Sequence, residues 1–201
     1  MPRSARVVSP GHPHHVTQRG LGRQRTFFGD RDYKRYIEIL GRETDEAGID
    51  VWAYCLMPNH VHLVVTPSTE AALARGIGET NRQYARTIHE RGEQTGKFWQ
   101  GRFKSVALDE RHLLAAIRYV TLNPVKAKLV ERAGDWRWSS ARAHAAGATD
   151  GIVKVEPLLG RIGSFDAFVS GRLETEETIA VRRATRSGRP LGELASDDDH
   201  R

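Results

Sequence analysis

The chain reads as an α+β fold, an antiparallel sheet with helices packed on one face, and three observations lead there. Strand and helix signals alternate in the order β-α-β-β-α-β-α. Two of the strands are separated by a turn too short for a parallel crossover. The helical stretches carry apolar residues at spacings of three and four, as helices covering a sheet must.

A first strand is expected over His14 to Gln18, ending at Arg19-Gly20, and Gly20, Gly22, Arg23 and Arg25 then form a basic loop. Asp30 is a plausible N-cap for a helix over 31–47, stopped by Gly48, with Tyr33, Tyr36, Ile37 and Leu40 on its apolar stripe. Ile49 to Met57 is a long strand, Pro58-Asn59 a turn, and His60 to Thr66 the returning strand. A second helix is expected over 70–91, weakened in its first half by Gly76 and Gly78. Phe103 to Leu108 reads as a strand and 110–123 as a third helix, which Pro124 should end because proline disfavours the α conformation in the residue before it.

Three segments follow from this pattern: a domain over 1–146, a short helical C-terminal extension over 147–181, and a mobile polar tail over 182–201. The 201 residues carry 31 Lys+Arg against 25 Asp+Glu, for a formal net charge of +6. The excess is segregated, with eight basic and two acidic residues over 1–35 and seven against two over 97–128. A polyanionic partner is the expectation. Cys55 is a single cysteine, so no internal disulfide forms, and no run approaches 18 apolar residues. A soluble cytoplasmic protein with no membrane partner is expected.

The chemistry concentrates at Pro58-Asn59-His60-Val61-His62. Side chains alternate along a strand, so His60 and His62 share a face and can share a ligand. On the third predicted helix, Leu113, Leu114, Ile117, Val120 and Thr121 fall within an arc of about 120°. His112, Ala116, Tyr119 and Asn123 cluster away from that stripe, so a hydroxyl and an amide oxygen are presented together. Two imidazoles and one amide oxygen suit a divalent cation completed by oxygen ligands, Mg²⁺ or Mn²⁺, more than a closed zinc site. Such an ion neutralises the oxygens of a phosphodiester under attack, and tyrosine is a nucleophile once a cation stabilises its phenolate. Lys104, Arg118 and Lys126 are candidates for that help or for phosphate contact. Aromatic and basic residues interleave at Phe98, Trp99, Arg102, Phe103 and Lys104, the mixture that single-strand binders use. Of these, Trp99 and Arg102 are the better candidates for DNA contact. His12, His14 and His15 read as surface histidines.

These residues resemble the REP-associated tyrosine transposases, a branch of the HUH single-strand transposases. The resemblance runs through His14-His15-Val16-Thr17-Gln18-Arg19-Gly20 and Tyr54-Cys55-Leu56-Met57-Pro58-Asn59-His60-Val61-His62. It continues in Trp99-Gln100-Gly101-Arg102-Phe103-Lys104-Ser105, Arg118-Tyr119-Val120-Thr121-Leu122-Asn123-Pro124-Val125 and Trp136-Arg137-Trp138-Ser139-Ser140. It implies a ferredoxin-like fold and a single-tyrosine catalytic domain over 1–146. It implies cleavage of single-stranded DNA hairpins at palindromic repeats, in or near the nucleoid, by a monomer or homodimer. By position, His60 and His62 would be metal ligands, Tyr119 the nucleophile forming a 5′-phosphotyrosine, and Asn123 the third ligand. Arg19, Arg23, Arg25, Trp99, Arg102, Lys104, Arg118 and Lys126 are the expected DNA contacts. The family's basic C-terminal region corresponds to residues 186–192, but Asp197-Asp198-Asp199 follows. A non-catalytic hairpin-binding regulator on the same fold is the alternative. A histidine-triad hydrolase is disfavoured by Val64 at the next strand position, and no HExxH zinc motif is present.

Overall fold

The computed structural model describes residues 7–92, 96–171, 175–187 and 191. Four strands, β1 (His14–Arg19), β2 (Ile49–Met57), β3 (His60–Pro67) and β4 (Lys104–Ala107), form one antiparallel sheet in the order β2-β3-β1-β4. With α1 (Asp30–Glu46) between β1 and β2, and α2 (Ala72–Glu90) between β3 and β4, this is the ferredoxin-like arrangement.

The expectation of helices on one face describes α1 and α2. Tyr33, Tyr36, Ile39 and Leu40 of α1 and Leu73, Ile77, Tyr84 and Ile88 of α2 pack on Val16, Val61, Leu63 and Val65 of the sheet. A third helix, α3 (Glu110–Lys126), covers the opposite face, where Leu113, Ala116, Ile117 and Val120 meet Ala53, Cys55, Val64 and Val106. The strands therefore alternate between two buried faces, and a one-residue bulge between Val51 and Ala53 moves the rest of β2 into register with that division.

Local chemistry accounts for the boundaries. Gly48 adopts φ 68° after α1, and a side chain there would meet the Ser68 hydroxyl. Gly76 does not break α2. A Cβ there would lie 2.7 Å from Ile49 Cδ1 and 3.0 Å from the Glu43 carbonyl, so glycine lets α2 close on α1 and β2. Asp109 caps α3 by accepting the His112 N–H at 2.9 Å. Contrary to expectation, α3 runs through Pro124 to Lys126, and the Asn123 and Pro124 carbonyls accept the N–H groups of Ala127 and Leu129. A proline so near the end forgoes one helical bond without ending the helix.

Beyond α3, α4 (Ala141–Ala146), α5 (Glu156–Leu159), α6 (Phe165–Val169) and α7 (Glu176–Ser187) complete the described chain. The outer edge of β2 is closed by Trp138 and Ser140, whose backbone groups bond to Leu56 and Tyr54, and by Val153, bridged to Val51. The expected mobile tail over 182–201 needs correction at its start. Residues 182–187 are the last turns of α7, with Val181, Ala184 and Thr185 buried because they pack against α3, β1 and β4. Residues 188–190 and 192–201, including the rest of the basic segment and the acidic triplet, lie outside the described residues.

Candidate active site

The β1–β3 register builds the site. Thr17 sits opposite His62, Arg19 opposite His60, and His15 opposite Val64, so one face of two central strands carries a column of polar side chains. The helix α3 crosses above it. The Tyr119 ring meets His62 edge to face at 5.3 Å and His15 at 5.8 Å, and His60 and His62 lie 4.8 Å apart. His15, His60, His62, Tyr119, Arg19, Arg23, Arg102 and Lys104 all line one cavity of about 390 Å³, together with Thr17, Gln18, Gln100, Arg182, Thr185 and Arg186.

Both strand histidines present the same nitrogen. The Asn59 amide nitrogen donates to the Arg23 carbonyl at 3.1 Å, which turns its oxygen to His60 Nδ1 at 2.5 Å. His60 thus carries its proton on Nδ1 and keeps a lone pair on Nε2. His62 Nδ1 lies 3.0 Å from His15 Nε2, and His62 Nε2 is buried with no partner among the described residues. Burial holds the His60 and His15 rings at about 3, with Arg19 adding to the effect at His60, and it takes His62 well below its ordinary value, helped by His60, His15 and Arg19. All three rings are therefore neutral near pH 7, the state in which imidazole binds a metal. Arg19 is lowered by burial and by Arg23, while the negative form of Tyr119 pulls it up. Its guanidinium is within electrostatic reach of the phenol.

The donor set suits a divalent cation whose shell is completed by oxygens. The two rings lie 4.8 Å apart on one strand face, His62 Nε2 is an orphaned buried atom, and among the described residues no group of three or more His, Cys, Asp or Glu offers a closed cage.

Several sequence expectations fall elsewhere. Trp99 must be corrected: it is 9% exposed, packs on Phe98 and Tyr84, and donates its indole N–H to the Asn81 carbonyl at 2.8 Å. It is a core residue with no face left for a base. Arg118 bonds through Nε to the Phe168 carbonyl at 2.9 Å, which ties α3 to α6 and keeps it out of the cavity. Exposed Arg25 and half-buried Lys126 do not line the cavity either. Asn123 lies one turn beyond Tyr119, is 9% exposed and bonds through Nδ2 to the Tyr119 carbonyl, but it is not part of the cavity wall. The face of α3 read as open is partly closed, since Ala116 is fully buried.

Sequence reasoning missed His15, which is 1% exposed and central to the site rather than a surface histidine. His14 is likewise buried, on the other face of the strand opposite Val65. It missed Arg182, Thr185 and Arg186 because it read no helix there. Alternation of His15, Thr17 and Arg19 along β1 was the available signal, but the pairing of β1 with β3 that gives it meaning is a tertiary fact.

The ferredoxin-like sheet thus carries a strand His-X-His beneath a helical tyrosine, in a basic cavity. Residues 11–123 match the family described as Transposase IS200 like, and the chain belongs to that family. A Haemophilus influenzae protein assigned as a REP-associated tyrosine transposase is 30% identical over 99 residues, covering 44% of this chain. The chain spans 56% of the length of that curated relative. The solved structure of a REP-associated tyrosine transposase bound to a REP hairpin superposes with a TM-score of 0.65 at 18% identity, over 87% of this chain and 94% of that one. That likeness shows the fold. Among the described residues, no helix is long and apolar enough to cross a membrane.

Proposed function

We propose that the chain is a metal-dependent endonuclease and strand-transferase of single-stranded DNA, cutting at hairpin-forming palindromic repeats through a 5′-phosphotyrosine on Tyr119. The observation that carries this reading is the shared cavity: His60, His62, Tyr119 and several cationic side chains line one space, and His62 Nε2 is buried without a partner among the described residues. The REP-associated relatives support the choice of a palindromic hairpin as substrate.

A divalent cation, Mg²⁺ or Mn²⁺, held by His60 and His62 would neutralise charge on the non-bridging oxygens of the scissile phosphate. Asn123 enters as a third ligand through the family resemblance alone. The protein's own groups supply the rest. Arg23 at the open side of the cavity and Arg19, half-buried beside His60, meet the phosphodiester backbone. Arg19 lies within electrostatic reach of Tyr119. The phenol oxygen attacks phosphorus, the bond to the 3′ oxygen breaks, and the phenol proton is balanced by the 3′-hydroxyl that leaves. Attack by a free 3′-hydroxyl on the tyrosyl ester reverses each change, reforming a phosphodiester and the phenol without a nucleotide cofactor.

The test incubates the purified chain with single-stranded hairpin oligonucleotides from its own genome and Mn²⁺ or Mg²⁺, followed by denaturing gels. A covalent protein–DNA band is expected, absent with EDTA and absent in Tyr119→Phe, while hairpin binding persists within about threefold. Retarded DNA without a covalent band for every oligonucleotide would favour a non-catalytic hairpin-binding regulator. Turnover without an adduct would instead make water the nucleophile.

A further inference from the structure

One buried group in this cavity has a polarity that the rest of the site does not explain. Thr185 of α7 donates its hydroxyl proton to the Val181 carbonyl at 2.8 Å, one turn earlier in the same helix. A threonine hydroxyl has a single proton. Toward its other neighbour, His15 Nδ1 at 2.7 Å, Thr185 Oγ1 is therefore an acceptor, and His15 must carry its proton on Nδ1. That leaves a lone pair on His15 Nε2, which lies 3.0 Å from His62 Nδ1, so the proton of this bond belongs to His62. The two imidazole planes are parallel within 3° and their centroids are 5.2 Å apart, the spacing of rings that meet edge to edge as an N–H···N bond requires. The chain ends at His62 Nε2, bare and buried.

The direction of this relay is set at its far end. A backbone carbonyl only accepts, so Val181 orients Thr185, Thr185 orients His15, and His15 orients His62. The reverse arrangement would put a proton on His62 Nε2, leaving a buried N–H without an acceptor and no lone pair for a ligand. Thr185 is 3% exposed and 170 residues from His15, so three elements remote in sequence are drawn together around buried polar groups. Burying such groups is unfavourable unless each is bonded, and apolar side chains would fill these positions at less cost. His60 is fixed by its neighbour Asn59 within the hairpin, whereas His62 depends on the C-terminal helix.

We propose that His15 and Thr185 are positioning residues that lock His62 in its Nδ1–H tautomer and so present Nε2 as a ligand for a divalent cation. This rests on the metal-dependent reading of His60 and His62. Partners behind a metal-bound histidine that fix its tautomer typically change metal affinity 10–100-fold when removed.

The test has two readouts on the full chain. Nitrogen-15 NMR of metal-free protein labelled at histidine reports which ring nitrogen is protonated, and titration with Mn²⁺ alone, followed by electron paramagnetic resonance, gives the affinity. In the wild type, His15 and His62 are expected as Nδ1–H tautomers. Thr185→Val, close in shape but unable to accept the bond, should redistribute the His62 tautomer and weaken Mn²⁺ binding about 10-fold or more. Thr185→Ser, which keeps the hydroxyl, should restore both to within about twofold. A Thr185→Val protein that fails to fold is replaced by Thr185→Ala, judged by the same readouts. An Nε2–H tautomer at His62 in the wild type overturns the relay. So does wild-type Mn²⁺ affinity in Thr185→Val when His62→Ala has lost it. Absence of Mn²⁺ binding to the wild type, with the Nδ1–H tautomers present, instead fails the metal reading of the two strand histidines and with it the relay's role in ligation.

Discussion

Under α1 and α2, three buried rings send their polar atoms to protein partners: Tyr36 donates to Asn81 at 3.0 Å, Tyr84 to the Thr26 carbonyl at 2.6 Å and Trp99 to the Asn81 carbonyl. Under α3 and α7, the relay of buried polar rings ends at a nitrogen with no partner among the described residues, His62 Nε2, in a cavity lined by cations. The same sheet serves both faces, and alternate residues of the same strands supply them. What sets the second face apart is that its open ring nitrogen belongs to a residue lining that cavity. Asn81 Nδ2 and His89 Nε2 of α2 are also buried without a partner among the described residues, but neither residue lines that cavity.

If the first face is the structural one, the largest stability effect should come from its centre. Phe27 is fully buried and contacts Tyr33, Tyr36 and Tyr84. Phe27→Ala should lose about 3–5 kcal/mol, a large part of the total stability of a domain, read as the shift in a urea midpoint. Next comes Gly76→Ala, whose new methyl group would press on Ile49 and the Glu43 carbonyl. It should lose about 1–3 kcal/mol. Gly78→Ala, two residues on and facing open space, should instead gain about 0.5–1 kcal/mol. If both changes act alike, close packing of α1 on α2 is not what Gly76 provides.

A pH titration divides the two faces further. His14, on the α1/α2 side, is taken from 6.5 to about 4 chiefly by burial, partly offset by its bond to the His12 carbonyl, and its Nε2 accepts the Ser9 N–H at 3.2 Å. The unfolded chain binds this proton first as acid is added, so the stabilisation is complete above about pH 6.5 and is lost as pH falls through about 4. His14→Leu should flatten part of the fall in Tm between pH 7 and 4 and leave the share that belongs to His15, His60 and His62. A pH profile identical to wild type would refute a titrating role for His14. The smallest stability effect is expected at Tyr119→Phe, under about 0.5 kcal/mol, although the same change should remove the adduct. A large loss of stability there would mean that the tyrosine is a packing residue and the two faces are alike.

Much of this was legible in the sequence because local chemistry fixed it. Gly48 and the Pro58-Asn59 turn bracket β2 and begin β3, so the strand that carries His60 and His62 could be placed, along with its alternation. Tyr119 stood out because it lies off an apolar stripe. Pro124 misled, since a proline in the last turn forgoes one backbone bond without ending the helix. Trp99 misled because a glycine-flanked, basic neighbourhood looks the same whether the indole faces solvent or is bonded beneath α2. His15 and Thr185 did not stand out as site residues, because the alternation that includes His15 has no meaning without its partner strand and Thr185 has no local pattern that marks it. Their roles come from the β1–β3 register and from a helix that packs only once α3 and the sheet are in place.

That last helix also gives the cavity a place in time. All four strands of the sheet lie within the first 107 residues and Tyr119 follows soon after, yet Arg182, Thr185 and Arg186 close the wall. During synthesis the ribosome delivers both strand histidines and the tyrosine well before the residues that complete their surroundings. A chain interrupted between α3 and α7 would hold His60, His62 and Tyr119, and lack part of the wall of the cavity they line.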